Sequence, residues 1–365
     1  MRPEPIGVAV IGYGYWGPNL VRNFSNTDDA RVVAVADWDA QRRATVARLY
    51  PGVTTTTLAS EVFRDPRVGA VAIATPVHTH YDLALAALSA GKHVLVEKPL
   101  AQTSAQVEHL IDEAERRGLV LMVDHTFLYT PAVQKIRQLI ADGSLGEIYY
   151  YNSTRASLGL FQSDVNVVWD LAVHDLSIIR YLLDEAPVAV SATGVSHVPG
   201  SPENMAHITL HFASRCVAHI SVNWLSPVKV RQTFIGGQRK MIVYNDLEAT
   251  EKIKVYDRGI TLNGLPEQEQ MRIGYRAGDM WAPHIAAKEA LQTEAEHFTA
   301  CIRSGDSPTS DGISGLAVVE ILEAASLSIA ARGAPMPIRH REFVLPSPPA
   351  LVPSRQAAPS EYVAS

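Results

Sequence analysis

The sequence has little of several features that mark particular classes of protein. Its 365 residues include two cysteines, Cys216 and Cys301, which argues against a disulfide-stapled fold and favours a reducing, cytoplasmic location. Lys and Arg number 32 against 38 Asp and Glu, and no basic block is present, so we expect no nucleic-acid partner. No apolar run approaches the roughly 20 residues of a membrane span, and no signal peptide fits the N-terminus, so we expect no membrane association.

The composition is that of a folded protein. Hydrophobic residues make up 47% of the chain and charged residues 19%, which is enough apolar material for a large core. The length favours two domains, which we place at residues 1–125 and 126–345. The stretch 346–365 is rich in Pro, Ala and Ser, and we expect it to be a disordered tail.

The first third of the chain alternates between two kinds of segment. Short β-rich runs are found at Val8–Ile11, Val32–Ala36, Ala70–Ala74, Val94–Val96 and Val120–Val123. Helical patterns lie between them, from Pro18 and at Ala40–Leu49, Tyr81–Ala90 and Ser104–Arg117. Repeated βαβ units predict an α/β fold, here a Rossmann-type, doubly wound parallel sheet.

After about Asp124 this alternation stops. Helices are predicted at Pro131–Asp142 and Trp169–Leu183, and two late ones at Glu289–Arg303 and Gly312–Arg332. Strand-like segments follow one another at Val188–Val195, Ala206–Phe212, Val217–Val222, Val228–Ile235, Met241–Tyr244 and Lys252–Val255. Consecutive strands with short connections predict a C-terminal α+β domain with an open, mostly antiparallel sheet.

A glycine-rich loop follows the first predicted strand. Gly12-Tyr13-Gly14-Tyr15-Trp16-Gly17 has the spacing of a dinucleotide-binding turn, in which backbone amides at a helix N-terminus hold a pyrophosphate. Asp37 closes the second strand, where an acid accepts hydrogen bonds from ribose hydroxyls and favours NAD over NADP. Arg42 and Arg43 follow closely, so NADP stays open. The alternative is a glycine turn without a ligand.

A lysine stands where the fifth predicted strand ends, in Glu97-Lys98-Pro99. Parallel sheets bind ligands at the carboxyl ends of their strands, so this lysine is expected to face the crevice. Its ammonium group is suited to holding a substrate oxygen and to exchanging a proton with it. The alternative is a solvated lysine at a strand end.

A second candidate for chemistry is Trp169-Asp170-Leu171-Ala172-Val173-His174-Asp175. If this segment opens a helix, Asp170 and His174 share one face. A neutral imidazole suits proton removal from a hydroxyl near pH 7, and Asp170 would orient His174 or bind a neighbouring hydroxyl. The alternative is a helix N-terminal carboxylate with a structurally satisfied histidine, and Asp175 is interpreted as structural.

Two other chemistries have little support in the sequence. His78-Thr79-His80 is a possible pair of metal ligands, but no cysteine or carboxylate cluster completes a tetrahedral set, and we expect no metal. No G-x-S-x-G elbow follows a strand, so a serine hydrolase is not predicted.

Taken together, these motifs resemble a known family. The order Gly12-x-Gly14-x-x-Gly17, Ala74-Thr75-Pro76 with His80, Glu97-Lys98-Pro99 and Asp170-x-x-x-His174 is similar to that of the Gfo/Idh/MocA oxidoreductases, over residues 6 to about 340. The resemblance implies a Rossmann domain, a second domain built on an open sheet, and a homodimer or homotetramer formed through that sheet.

The resemblance also implies roles for particular residues. NAD is expected to contact Gly12, Tyr13, Gly14, Tyr15, Trp16, Gly17, Asp37, Thr75, Pro76, His80, Glu97 and Lys98. It places Glu97 near the nicotinamide ribose and Lys98 beside the nicotinamide, with a possible cis bond to Pro99. Asp170 and His174 are expected to line the substrate pocket, with His174 moving the proton.

One segment departs from the family pattern. Asp124–Pro131 lacks the arginine that relatives commonly carry there, so His125 and Tyr129 are expected to make polar contacts with substrate. The stretch from Arg155 to Asp170 resembles a bacterial subgroup of sugar-nucleotide, cell-surface and antibiotic-sugar pathways. Arg155 is therefore a candidate for a substrate phosphate or carboxylate, and Asn166 for a hydroxyl. Structural hydrogen bonding is the alternative for both.

These observations predict an NAD(P)-dependent dehydrogenase or ketoreductase. It would move a hydride between nicotinamide and a hydroxyl-bearing or keto carbon of a sugar, sugar nucleotide or cyclitol. A non-catalytic NAD(H) sensor and a redox-neutral enzyme that retains its cofactor are the alternatives, and turnover separates a sensor from an enzyme.

Overall fold

The first half of the molecule is built around a six-stranded parallel sheet. The structure is a computed structural model and describes residues 4–159, 165–263 and 272–339. The strands are Ile6–Ile11 (β1), Ala30–Ala36 (β2), Thr54–Thr56 (β3), Ala70–Ile73 (β4), His93–Glu97 (β5) and Leu121–Asp124 (β6). Their order across the sheet is β3-β2-β1-β4-β5-β6. The chain builds the sheet outward in one direction from β1 to β3 and in the other direction from β4 to β6, and this switch point leaves a crevice at the carboxyl ends of β1 and β4.

Helices cover both faces of this sheet, as the alternating pattern predicted. They are Gly17–Ser25 (α1), Ala40–Leu49 (α2), Ala59–Arg64 (α3), His80–Ser89 (α4) and Ser104–Arg117 (α5). The central strands are buried on both faces, which is why they consist of continuous apolar runs. The Rossmann prediction is confirmed, although the short elements β3 and α3 were not predicted.

The second half carries a nine-stranded sheet in the order β16-β13-β12-β11-β7-β10-β9-β8-β17. The strands are Ile148–Ala156 (β7), Ala189–Val195 (β8), Met205–His211 (β9), Val217–Asn223 (β10), Val230–Gly237 (β11), Met241–Asn245 (β12), Ile253–Tyr256 (β13), Met280–Trp281 (β16) and Met336–Pro337 (β17). Neighbours are antiparallel except β7 and β10, so the predicted mostly antiparallel sheet is confirmed. Gly259–Asn263 (β14) and Arg272–Arg276 (β15) form a separate hairpin.

Strand β7 was missed from the sequence although it lies at the centre of this sheet. Its second half, Asn152-Ser153-Thr154-Arg155, contains polar residues that are poor markers of a buried strand. Long-range pairing with β10 and β11 overrides this local signal.

The predicted helix Trp169–Leu183 begins differently from the expectation. Val168–Ala172 forms a π-helical turn, and the α-helix α7 follows at Val173–Leu182. Asp170 therefore lies in the π-helical turn and His174 in the first turn of α7, so the two residues do not belong to one regular α-helix. That they share one face stays a prediction.

Three further α-helices lie in the described part of the chain: Pro131–Ala141 (α6), Ala290–Ser304 (α8) and Gly312–Ala330 (α9). Helix α9 packs on β8 and α7 in the second half and also on α5 and β6 of the first sheet. Gly312 and Gly315 make this possible, because a Cβ at either position would lie under 3.0 Å from Ile111 or Val123.

Helix α9 is long and apolar enough to span a membrane by length and composition, which the sequence analysis did not anticipate. More than half of its apolar window is buried inside the protein, as in a core helix. The domain limits 1–125 and 126–345 stay a prediction, and the proposed tail 346–365 lies outside the described residues.

Candidate functional site

A cleft of about 550 Å³ lies at the carboxyl ends of β1, β4 and β5. Asp170, from the second half of the chain, forms part of its wall. The cleft brings together ten of the residues predicted to contact NAD: Gly12, Gly14, Tyr15, Trp16, Asp37, Thr75, Pro76, His80, Glu97 and Lys98.

The glycine loop has the shape that a pyrophosphate requires. Gly12 has φ +92°, and a Cβ there would lie 2.5 Å from the Ala74 carbonyl oxygen. A Cβ at Gly17 would lie 2.1 Å from the Gly12 carbonyl oxygen. At Gly14 the side chain of Arg42 is the one near neighbour within the described residues, so there is room for a ligand. The loop therefore fits a dinucleotide at the N-terminus of α1.

The Tyr13 side chain is an exception among the predicted NAD contacts. It is buried in the core behind the loop, and its backbone amide donates to Asp37 Oδ2 at 2.6 Å. Gly17 likewise packs behind the loop rather than lining the cleft. Both residues shape the loop.

Asp37 lines the cleft just after the end of β2. Besides Tyr13, it accepts a hydrogen bond from the Asp39 amide at 2.8 Å. Arg43 donates to the carbonyl oxygens of Asp37 and Trp38, which is a structural role, whereas Arg42 lines the cleft with Nη1 3.6 Å from Asp37 Oδ2. Trp38 also lines the cleft and is 80% exposed, a candidate adenosine contact that sequence reasoning missed.

A hydrogen bond to the last residue of β6 fixes the Trp16 side chain. Its indole Nε1 donates to Asp124 Oδ2 at 2.8 Å, and Asp124 also accepts from the Thr126 hydroxyl. The glycine loop is thus tied to the end of β6, an arrangement that no sequence pattern indicated.

His80 braces the opposite side of the cleft. Its Nδ1 lies 2.8 Å from the Pro99 carbonyl oxygen and its Nε2 lies 2.8 Å from the Thr75 carbonyl oxygen. The Lys98–Pro99 peptide bond is cis. His80 therefore connects the two loops that present Thr75, Pro76 and Lys98 to the cleft.

The Lys98 ammonium is fixed by Asp170. Nζ donates to the Asp170 carbonyl oxygen at 2.8 Å and to Oδ1 at 3.1 Å, while the Trp224 indole donates to Oδ2 at 3.0 Å. Both carboxylate oxygens are thus used by groups other than His174. Asp170 orients Lys98, and within the described residues it makes no hydrogen bond to His174. The other predicted role of Asp170, binding a substrate hydroxyl, stays a prediction.

His174 lies on α7, close enough to Lys98 for the charge of the lysine to lower its pKa, and it is not among the residues that line the cleft. Its ring packs edge-on against Phe127, with 4.9 Å between ring centres, and buried Nδ1 has no hydrogen-bond partner in the described part of the chain. Burial holds the pKa of His174 well below its usual value, and the positive charges of Lys98, Arg155 and Arg231 lower it further. The imidazole is therefore neutral and able to accept a proton.

Two carboxyl groups with buried oxygens, those of Glu97 and Glu294, lie near Asp124. Burial raises the pKa of Glu97 well above its usual value, and the nearby charge of Asp124 adds to this effect. Glu294 on α8 is affected in the same way by burial and by Asp124. Both are expected to be protonated at neutral pH. Glu294, nearly 200 residues from Glu97 in the sequence, was not predicted as a neighbour.

Two of the predicted substrate residues lie near His174. His125 is 1% exposed, and neither of its ring nitrogens has a partner among the described residues. Burial lowers the pKa of His125 to about 4. Arg155 is 7% exposed and pairs through Nε with Asp175 Oδ2 at 2.9 Å.

The other two predicted substrate residues, Tyr129 and Asn166, use their polar groups in hydrogen bonds within the protein. The Tyr129 hydroxyl lies 2.8 Å from Ser310 Oγ, inside the protein. Asn166 caps the amides of Val168 and Trp169 and donates to Glu203. The structure does not bring Tyr129 to the site, and the bonds of Asn166 match the structural alternative.

The described residues contain no group of three or more His, Cys, Asp and Glu side chains placed to hold a metal ion. The arrangement instead suits a dinucleotide, with Lys98 in the wall of its cleft and His174 outside the set of residues that line it.

Comparison with known proteins agrees with this geometry. The sequence profile of the oxidoreductase family with an NAD-binding Rossmann fold matches residues 6–125. The profile of the GFO/IDH/MocA C-terminal domain matches residues 133–243.

The similarity to individual relatives extends over most of the chain. The UDP-N-acetylglucosamine 3-dehydrogenase of Acidithiobacillus ferrooxidans is 30% identical over 317 residues, covering 85% of this chain and 93% of that protein. The inositol 2-dehydrogenase of Rhizobium meliloti is 27% identical, covering 88% and 96%. A solved structure of the Acidithiobacillus enzyme superposes with a TM-score of 0.76 at 26% identity, covering 90% of this chain and 99% of that one. The chain belongs to the GFO/IDH/MocA family of NAD-binding oxidoreductases.

Proposed function

We propose that this protein is a dehydrogenase or ketoreductase in which His174 and Lys98 act on a hydroxyl-bearing or keto carbon of a sugar-like substrate. The observation that carries the proposal is a lysine that Asp170 fixes in the wall of the NAD cleft, together with a histidine whose pKa is lowered by burial and by the charge of that lysine. A base and a cation at one substrate oxygen are what alcohol oxidation requires.

Each residue has a distinct task. NAD supplies the site that accepts or donates the hydride. In oxidation, His174 takes the hydroxyl proton, and in reduction it returns that proton. Lys98 holds the same oxygen and stabilises the negative charge that develops on it. Asp170 is a positioning residue, because it contacts Lys98 through both its carbonyl and its carboxylate oxygens.

The substrate class follows from the relatives. Two of them are named for UDP-N-acetylglucosamine and inositol, both of which carry ring hydroxyls. We therefore propose a sugar, sugar nucleotide or cyclitol as substrate. We also propose a cytoplasmic location, supported by the two free cysteines, and cell fractionation tests it.

Lys98→Met and His174→Gln test these roles. We expect each to reduce hydride transfer at least about 100-fold, as loss of a general acid or base does. NADH binding should be unchanged in His174→Gln, whereas in Lys98→Met it should fall less than hydride transfer, because Lys98 also lines the NAD cleft. Absorbance of NADH follows turnover on a panel of inositols, sugars, sugar phosphates and nucleotide sugars, with keto sugars for the reverse reaction. Fluorescence titration follows NADH binding.

Matched controls are Lys254→Met and His109→Gln, which change a surface lysine paired with Glu251 and an exposed histidine on α5. Near wild-type rates in both site variants would contradict the assignment. NADH binding by the wild type with no turnover on any substrate would favour the sensor alternative.

A further inference from the structure

The side chains around His174 include an unusual group of unsatisfied polar atoms. Arg155 Nη1, His174 Nδ1 and both ring nitrogens of His125 are buried and lack hydrogen-bond partners among the described residues. Buried polar atoms without partners are unfavourable, so folded proteins seldom gather several at one place unless a ligand satisfies them.

The register between β7 and β11 brings two arginines together over Phe127. Arg155 on β7 and Arg231 on β11 are directly opposite each other in the antiparallel pair. Their guanidinium carbons lie 4.5 and 5.5 Å from the centre of the same Phe127 ring that packs against His174. Like charges at directly opposite positions are unfavourable in a sheet, so an anion between or beside them would be stabilising.

The neighbouring carboxylates do not balance these cations. Asp175 pairs with Arg155, at 2.9 Å. Asp246 is shared, with Arg231 Nη1 at 3.2 Å and Lys252 Nζ at 3.5 Å. Three cations thus face two carboxylates, which leaves one positive charge in excess. The Arg231 side chain is 33% exposed, so a ligand has access to it.

We propose that the Arg155–Arg231 pair recognises an anionic group of the substrate, a carboxylate or a phosphate ester, close to the carbon on which His174 acts. The inference rests on the proposed function for the place of the reacting carbon. Guanidinium groups suit both anions because they donate from a planar fork, and Phe127 holds the two forks on one wall. A neutral sugar or cyclitol would leave the excess charge uncompensated.

Arg231 is the residue to change. Arg155→Met would leave Asp175 as an uncompensated buried charge and risks unfolding the protein, whereas Asp246 keeps Lys252 as a partner when Arg231 is lost. Arg231→Met removes the charge, and Arg231→Lys retains it without the fork. Arg116→Met is the matched control, since Arg116 pairs with Glu113 on the exposed face of α5.

The measurement is calorimetric titration of the NADH-saturated protein with D-glucuronate, D-glucose 6-phosphate and D-glucose. We expect at least one anion to bind roughly ten-fold or more tightly than glucose, since a hydrogen bond to a charged group contributes about 1.5–3 kcal/mol. Preference for glucuronate alone indicates a carboxylate, and preference for glucose 6-phosphate alone a phosphate. Arg231→Met should lose the preference, Arg231→Lys should keep part of it, and Arg116→Met should keep all of it.

Binding is measured apart from turnover so that the two proposals can fail separately. Equal affinity for all three probes, no binding of either anion, or an unchanged preference in Arg231→Met overturns the anion site, even if neutral sugars are oxidised. An anion preference that depends on Arg231, without hydride transfer on any substrate, supports the anion site and contradicts the proposed function.

Discussion

At the scale of single residues, the site depends on histidines that burial keeps neutral. The pKa of His80, His125 and His174 is lowered in each case, with burial as the largest cause. A neutral His174 is what proton removal requires. The same burial makes the folded protein sensitive to acid, since these groups take up protons more readily once they are unfolded.

His125 allows this sensitivity to be measured. Its pKa is about 4 in the folded state, against about 6.5 when unfolded. Above the unfolded value the two states bind protons equally. As pH falls below it, the unfolded state gains a proton that the folded state does not, and stability is lost. At about pH 5 the loss from His125 alone is about 2 kcal/mol.

Urea unfolding at pH 7.5 and pH 5.0 tests this prediction. We expect the free energy of unfolding of His125→Gln to fall by about 2 kcal/mol less than that of the wild type over this range. The comparison uses the change with pH and not the absolute stability, which the substitution itself alters. Equal changes in the two proteins would show that His125 titrates normally.

Sequence reasoning worked for residues whose role is encoded locally. Lys98 and Asp37 follow strand ends, where ligands bind in parallel sheets, and the structure brings both to the cleft. It did not work where distant residues decide. The Tyr129 hydroxyl is hydrogen-bonded to Ser310, and the Asn166 side-chain amide donates to Glu203. Neither partner can be inferred from the neighbouring sequence.

At the scale of elements, the glycine loop shows how backbone approach determines ligand binding. The Cβ of Gly17→Ala would be placed 2.1 Å from the Gly12 carbonyl oxygen, so the loop must shift. Strain of about 1–3 kcal/mol is typical of such overpacking. We expect NADH affinity to fall roughly ten-fold or more, because the amides that face the pyrophosphate move with the loop.

Fluorescence titration with NADH measures this change, and Gly52→Ala is its control. A Cβ at Gly52 would meet no atom within 4 Å among the described residues, so that variant should bind NADH like the wild type. Unchanged affinity in Gly17→Ala would mean that the loop does not hold the pyrophosphate.

Element prediction failed where tertiary contacts override local preference. The strand pattern of β7 is weakened by its polar second half, yet it lies at the centre of the second sheet. The π-helical turn before α7 looks like ordinary helix in sequence, and it places Asp170 outside the regular α-helix that carries His174. The Rossmann strands were predicted because burial on both faces makes them uniformly apolar.

At the scale of the whole molecule, the second sheet has one face available for association. Helix α9 packs on β8, while His207 on β9 and His219 on β10 point outward and are exposed. We propose that this face joins two copies of the chain, forming a homodimer or, with a second contact, a homotetramer.

Size-exclusion chromatography with light scattering checks this proposal. We expect a dimer or tetramer for the wild type. The double variant His207→Glu and His219→Glu should dissociate it, because four like charges would meet across a two-fold contact. The control His109→Glu places the same charge on α5. A monomeric wild type would contradict the proposal.

The return of α9 to the first sheet has a consequence for how the gene can be dissected. A fragment that ends after β6 would expose the apolar surface of Leu100, Ile111, Leu121 and Val123, which Gly312 and Gly315 cover in the full chain. The nucleotide-binding half is therefore not a cassette that can be cut out or grafted onto another substrate domain. A working chimaera must carry α9 from the same parent as its Rossmann sheet, so recombination within this family is constrained at its C-terminal end as well as at the domain boundary.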